Sequence, residues 1–294
     1  MRLSLLSAAT ALLALPIMGC AGMGTGSHPT QQTAELEASG WRKLELHDDQ
    51  AALVAFDAAL DASPSAKLHA GRGRARSAFE DAIALEPNAA EWRVGLAVVE
   101  CARGDLAAAV RTCNVAIDCD PRAFKAYYNR GSALLEAGDV DPGLADLTLA
   151  LRLNPDFAEA HNSLGVGLAR QGRLDAAIGS FVRASSLVAL PAAHANCAAA
   201  YYAKGETQLA LTELNTAIRL DRSSPTHLAN RGRIYLDLRE PELAAADFEA
   251  AYVLFPTAPG IAGLLAEARQ SAARASKPLD AAPRSTPTPA SYRD

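Results

Sequence analysis

The sequence predicts an all-α fold, a solenoid of tandem helical hairpins, and three observations carry that expectation. Pro87, Pro121 and Pro155 recur at intervals of 34 residues, each after a short leucine or cysteine step (LEP, CDP, LNP). A fixed period of this length is the signature of a repeat array. Half of the 294 residues are hydrophobic but only 5% are aromatic, with Ala and Leu dominant, which suits close-packed helices better than a β-sandwich. Small residues return at two fixed places in every period, where two helices of one hairpin would touch. A single core rarely grows beyond about 250 residues, so a chain this long is expected to be modular.

The first element is a targeting segment, residues 1–19. Arg2 precedes an apolar run from Leu3 to Leu15, too short to span a bilayer core of about 30 Å but suited to a secretory signal. The run ends Ile17-Met18-Gly19-Cys20, which resembles a bacterial lipobox. That resemblance implies that Cys20 becomes the lipidated first residue of the mature protein, and Ala21 after it implies the outer membrane, on its periplasmic side. Residues 20–32, rich in Gly, Ser and Thr, read as a flexible tether.

Residues 33–89 read as degenerate and truncated units. Gly40, Ala52, Phe56, Ala59 and Pro64 fall in register, but Pro64 and Pro87 lie 23 residues apart, which leaves a shortened hairpin or one helix through Ala66–Leu85. Five units follow at 90–123, 124–157, 158–190, 191–224 and 225–258. Gly131, Gly165 and Gly232, with Ala97 and Ala198, hold the eighth position. Ala109, Gly143, Ala177, Ala210 and Ala244 hold the twentieth. Four residues on stand Cys113, Leu147, Phe181, Leu214 and Phe248, then three further Ala116, Ala150, Ala184, Ala217 and Ala251; spacings of four and three put them on one helical face. Gly104, Gly138, Gly172 and Gly205 mark the turns between helices, and Pro241 suits a first helical turn. Residues 259–276 read as an amphipathic capping helix, and the proline-rich residues 277–294 as a disordered tail.

These segments resemble the tetratricopeptide repeat family; the runs from Tyr127, Ala158 and His227 match it best. The resemblance implies a right-handed superhelix whose first helices line a concave groove that takes extended or helical segments of other proteins. It places Lys125, Tyr128, Asn129, Glu159, Asn162, Ser163, Arg170, Asn196, Tyr202, Asn230, Arg233 and Asp237 on that groove. Asn129, Ser163, Asn196 and Asn230 share the sixth position, a polar ladder able to hydrogen bond a peptide backbone, although asparagine there also serves structure. The Lys and Asn pair with which chaperone-binding members grip a C-terminal carboxylate is missing, since those places hold Tyr128/Ser132, Asn162/Val166 and Ala195/Ala199.

No catalytic motif appears: no GxSxG, HExxH or phosphate loop. The expected function is a membrane-anchored scaffold for protein–protein interaction in the bacterial envelope, assisting a pilus or secretion complex. An adaptor that docks cell-wall hydrolases or proteases is the alternative. No cofactor, metal or small-molecule substrate is expected, and with 28 basic against 33 acidic residues there is no basic field for nucleic acid. His161, His194 and His227 sit near the inter-unit packing surface, where packing outweighs metal binding. Cys101, Cys113, Cys119 and Cys197 lack zinc-ligand spacing and read as inert thiols, with a disulfide left open. Lys67, Arg72, Arg74 and Arg76 spread around their helix as a solvated face or as a docking patch for an acidic partner or lipid headgroups.

Overall fold

The computed structural model describes residues 76, 77, 79–258 and 260–275. The expected signal segment, Cys20, the expected tether, the expected degenerate leading unit and the proline-rich residues 277–294 lie outside the described residues. Helical residues 79–85 lead into eleven further helices. In the first compact body, which ends at Leu220, these are α1 (Ala90–Ala102), α2 (Leu106–Cys119), α3 (Phe124–Ala137), α4 (Val140–Leu153), α5 (Ala158–Arg170), α6 (Leu174–Leu187), α7 (Pro191–Ala203) and α8 (Thr207–Leu220). The second body, from Asp221, holds α9 (Pro225–Asp237), α10 (Pro241–Leu254) and α11 (Ile261–Ala275). Successive helices pair as hairpins, and α11 packs on α10 as the final cap. The chain is an all-α solenoid of tandem helical hairpins.

Turn chemistry sets the hairpins. Between the two helices of each unit one residue takes the left-handed conformation. Glycine fills it in four units, Gly138 for instance at φ 96°, but Arg239 holds it in the fifth at φ 61°. An L-residue there costs roughly 1–2 kcal/mol, so this turn is held by its surroundings. Asp105 caps α2 by accepting the Ala108 N–H at 3.0 Å. Pro191, Pro225 and Pro241 open α7, α9 and α10, where a missing N–H removes no hydrogen bond.

The core follows the register read from the sequence. Ala116, Ala150, Ala184, Ala217 and Ala251 are all fully buried, and the larger residues three places earlier are almost as fully enclosed. Gly131 and Gly143 face each other so closely that a Cβ on either would stand 2.9 Å from the other's carbonyl oxygen. Gly165 instead accommodates the Phe181 ring. Cores are shared between neighbouring hairpins: Leu168, Ala169, Ala177, Ile178 and Phe181 pack with Cys197 and Ala200 of the next unit, and with Leu144 of the preceding one. In the second body Ala244 and Phe248 pack against Leu265 and Ala268 of the cap.

Candidate functional site

In the first body α1, α3, α5 and α7, the first helices of four successive units, lie side by side. The sixth-position side chains reach from one to the next. Asn129 Nδ2 donates to the Val94 carbonyl at 3.3 Å, and Asn196 Nδ2 donates to Asn162 Oδ1 at 3.0 Å. One hand of each amide is therefore spent on aligning neighbours. The Asn162 amide nitrogen and the Asn196 carbonyl oxygen are the atoms of that pair's outer hands, one donor beside one acceptor, which is the pattern an extended backbone requires. Asn129 and Ser163 are buried, while Asn162 and Asn196 are half-buried.

The other groove candidates of this body divide in the same way. Lys125 and Glu159 are exposed in the first turns of α3 and α5. Tyr128 packs edge-on against Phe157, with centroids 4.8 Å apart, and Phe157 meets Phe124 at 5.2 Å. The Tyr128 hydroxyl shares a hydrogen bond with Ser163, and burial pushes the phenol up. Tyr202 is buried. The Arg170 guanidinium donates to the Leu135 carbonyl, so it closes the end of α3 and is committed to the fold. Arg170 is exposed and Tyr128 half-buried, but both are engaged with neighbouring helices; Lys125, Glu159, Asn162 and Asn196 are the other exposed or half-buried polar groups of the row.

Within the second body, α9 carries Asn230, Arg233 and Asp237. Asn230 is buried, Arg233 half-buried and Asp237 exposed. The Asn230 amide nitrogen and His227 Nδ1 are buried without a hydrogen-bond partner among the described residues.

Two ionic ties were not anticipated from the sequence. Arg130 forks onto Asp146 at 2.6 and 2.7 Å and also donates to Asn114 at 2.7 Å, which joins α3, α4 and α2. Arg231 repeats the fork on Asp247 at 2.8 and 2.7 Å. In each pair the Arg stands seventh in its unit and the Asp sixteen residues later; that recurrence was the available signal. Neighbouring turns are bridged as well, by Gln171 to Asp141 at 2.5 Å and Lys204 to Asp175 at 2.6 Å.

The histidines take packing and pairing roles. His161 Nε2 lies 2.9 Å from the Pro155 carbonyl, and His194 Nδ1 lies 2.7 Å from Glu213. Burial lowers the His227 pKa, opposed by the charge of Asp221. Cys101, Cys113, Cys119 and Cys197 are free thiols. Burial raises Cys113, and pushes Cys197 up to about 12, with Glu213 adding to the effect. Neither is an activated nucleophile. Among the described residues no three His, Cys, Asp or Glu side chains converge as a metal site, and no helix is long and apolar enough to cross a membrane.

Known proteins share this architecture. A co-chaperone of Cryptococcus neoformans var. grubii with tetratricopeptide repeats and a J domain, DNJ1, is 28% identical over 214 residues. The match covers 65% of this chain but only 40% of the co-chaperone. Among solved structures, the APC/C hetero-tetramer Cut9-Hcn1 aligns with a TM-score of 0.63 at 18% identity, over 81% of this chain and 46% of that one. YrrB, described as a protein of this family with an unusual peptide-binding site, aligns at 0.50 and 20% identity, over 66% of this chain and 99% of its own. At these identities the structural matches speak for the fold alone. The tetratricopeptide repeat profile matches residues 70–124, 128–186 and 198–259, more than half of the chain. This solenoid is typical of non-catalytic scaffolds for protein–protein interaction, and the chain belongs to the tetratricopeptide repeat family.

Proposed function

We propose that this protein is a lipid-anchored scaffold of the bacterial envelope that holds an extended segment of a partner along α1, α3, α5 and α7 and assists assembly or localisation of a pilus or secretion complex. The observation that carries the binding role is the Asn196–Asn162 pair, 3.0 Å apart on adjacent first helices. It offers a paired donor and acceptor to a peptide backbone, with Lys125 and Glu159 as exposed charges along the same row. Arg170 is occupied by the Leu135 carbonyl, and the places of the carboxylate clamp hold other residues, so an internal stretch of the partner suits the face better than a free C-terminus.

Membrane attachment rests on the Ile17-Met18-Gly19-Cys20 sequence. Three acyl chains on Cys20 would exceed the two lipid signals that suffice for stable anchoring. Replacing Cys20 with Ser should abolish incorporation of labelled fatty acid and release the protein from membranes; persistent labelling would sink the anchor. Photocrosslinkers at positions 162 and 196, used in intact envelopes, should capture pilus or secretion components. Capture of cell-wall hydrolases instead would favour the adaptor reading.

A further inference from the structure

We propose that the outer face of α10 pairs with the same face of a second copy of this chain, antiparallel about a two-fold axis at the level of Phe248. α10 is apolar on both sides. Ala244 and Phe248 pack against Leu265 and Ala268 of the cap, while Leu243, Val253 and Leu254 are 49%, 72% and 41% exposed. Ala246 and Ala250 are exposed between them. At about 100° per residue these five fall within about 100° of one another, a continuous stripe about 16 Å long. Apolar surface on both sides marks a helix that is covered on both. The other second helices break the same stripe with charge: Arg111 and Asp118 in α2, Arg152 in α4, Arg183 in α6 and Arg219 in α8.

The order of sizes identifies the occupant. Read in either direction, the stripe runs large, small, small, large. Turned end to end, it sets Leu243 beside Val253 and Leu254 of the other copy, and Ala246 beside Ala250. The small pair lets the axes approach while the large residues close both ends. Charge agrees with this pairing. Antiparallel helices place the positive N-terminal end of each beside the negative C-terminal end of the other. Glu249 stands about 90° from the middle of the stripe and close to the axis, so the two-fold brings both copies of it to one rim. Each is paired with Arg269 of α11 at 2.9 Å, and both side chains are exposed, so two ion pairs meet there instead of two bare carboxylates. The only charged residues of α10 are Glu242, Asp247 and Glu249, which disfavours an anionic lipid surface as the occupant. The stripe offers on the order of 400 Å² per copy, about half of one partner's share of a standard interface. The dimer is therefore weak and reversible, with a dissociation constant on the order of 100 µM. It uses none of the residues assigned to partner binding.

Sedimentation equilibrium of the full chain tests this. A monomer–dimer equilibrium should appear between about 10 µM and about 1 mM. Val253→Glu and Leu243→Lys should each weaken it about tenfold or more, whereas Leu209→Glu, at a leucine of α8 that is 47% exposed, should leave it unchanged. Mixed in equal amounts, the Leu243→Lys and Val253→Glu proteins should pair again, because one end then joins lysine to glutamate and the other keeps leucine against valine. A monomer throughout the range would overturn the proposal, as would equal effects of Val253→Glu and Leu209→Glu or a mixture that stays monomeric. Binding to vesicles of phosphatidylglycerol and phosphatidylethanolamine that Val253→Glu abolishes, with a monomer in solution, would assign the stripe to a membrane and overturn it too. An unchanged melting temperature serves as the check that each variant is folded.

Discussion

Replacing Gly131 with Ala should loosen one hairpin by an amount that the structure allows to be worked out. The added Cβ would lie 2.9 Å from the Gly143 carbonyl oxygen, and 3.1 Å from both Asp146 Cβ and Leu147 Cγ. Ordinary carbon–oxygen contacts begin near about 3.3 Å, so α3 and α4 must part by roughly 0.4 Å. The obstacle is backbone, which cannot rotate aside. Overpacking of this kind costs about 1–3 kcal/mol, against a gain of about 0.5–1 kcal/mol for alanine over glycine within a helix. The net is a loss of about 0.5–2 kcal/mol. Gly179, mid-helix in α6 and exposed, meets nothing within 4 Å of an added Cβ, so Gly179→Ala should show the helix gain alone. At roughly 2–4 °C per kcal/mol for a body of this size, thermal unfolding should move down for the first variant and up for the second. Adding Gly143→Ala to Gly131→Ala should cost less than the sum of the singles, because one separation relieves both clashes. If Gly131→Ala raises the melting temperature as much as Gly179→Ala does, the close approach of α3 and α4 is wrong.

Three further outcomes are expected. Arg130→Met strands Asp146, whose side chain is only 8% exposed, and should cost about 3 kcal/mol in urea denaturation; Arg130→Leu with Asp146→Ala should lose much less, and equal losses would deny the pairing. Arg239→Gly should stabilise the second body by about 0.5–1 kcal/mol by removing left-handed strain, net of glycine's entropy, and a loss would show that the Arg239 side chain outweighs that strain. His227 has a folded pKa lowered by burial, so its contribution is complete above about pH 6.5 and falls as pH drops through the unfolded value toward the folded one, by at most about 1.4 kcal/mol per pH unit. Urea midpoints at pH 7.5 and 5.5 should therefore differ less for His227→Gln than for the unaltered protein, and identical differences would refute the assignment.

The repeat register was legible because it is written in side-chain size, which a helical period exposes directly. Ala97, Gly131, Gly165, Ala198 and Gly232 could be placed at helix contacts without knowing any coordinate. The Arg239 turn was not legible, since the sequence lacks the glycine that marks the other four. Arg130 and Asp146 were hidden for a different reason. Sixteen residues separate them, so no local period relates them, and only the folded hairpin brings them together. The candidate face was half legible: its positions followed from the family pattern, but not which hands of its polar groups were already spent. Asn129, whose position also serves structure, and Arg170 are engaged with the Val94 and Leu135 carbonyls.

The Gly165–Phe181 contact constrains how such an array can be recombined. Gly165 and Gly232 leave room for the rings of Phe181 and Phe248, whereas Ala97 and Ala198 belong to hairpins with Cys113 and Leu214 at the same place. A bulky residue on one strut of a hairpin is thus matched by a missing methyl on the other. Exchanging single helices between units would set Ala198 against a phenyl ring, or leave Gly165 facing a void beside Leu214. Interiors packed at crystal density tolerate neither. Whole hairpins are consequently the natural coinage of duplication and grafting here, with productive crossovers falling at Pro121 and Pro155 and not at Gly138 or Gly172.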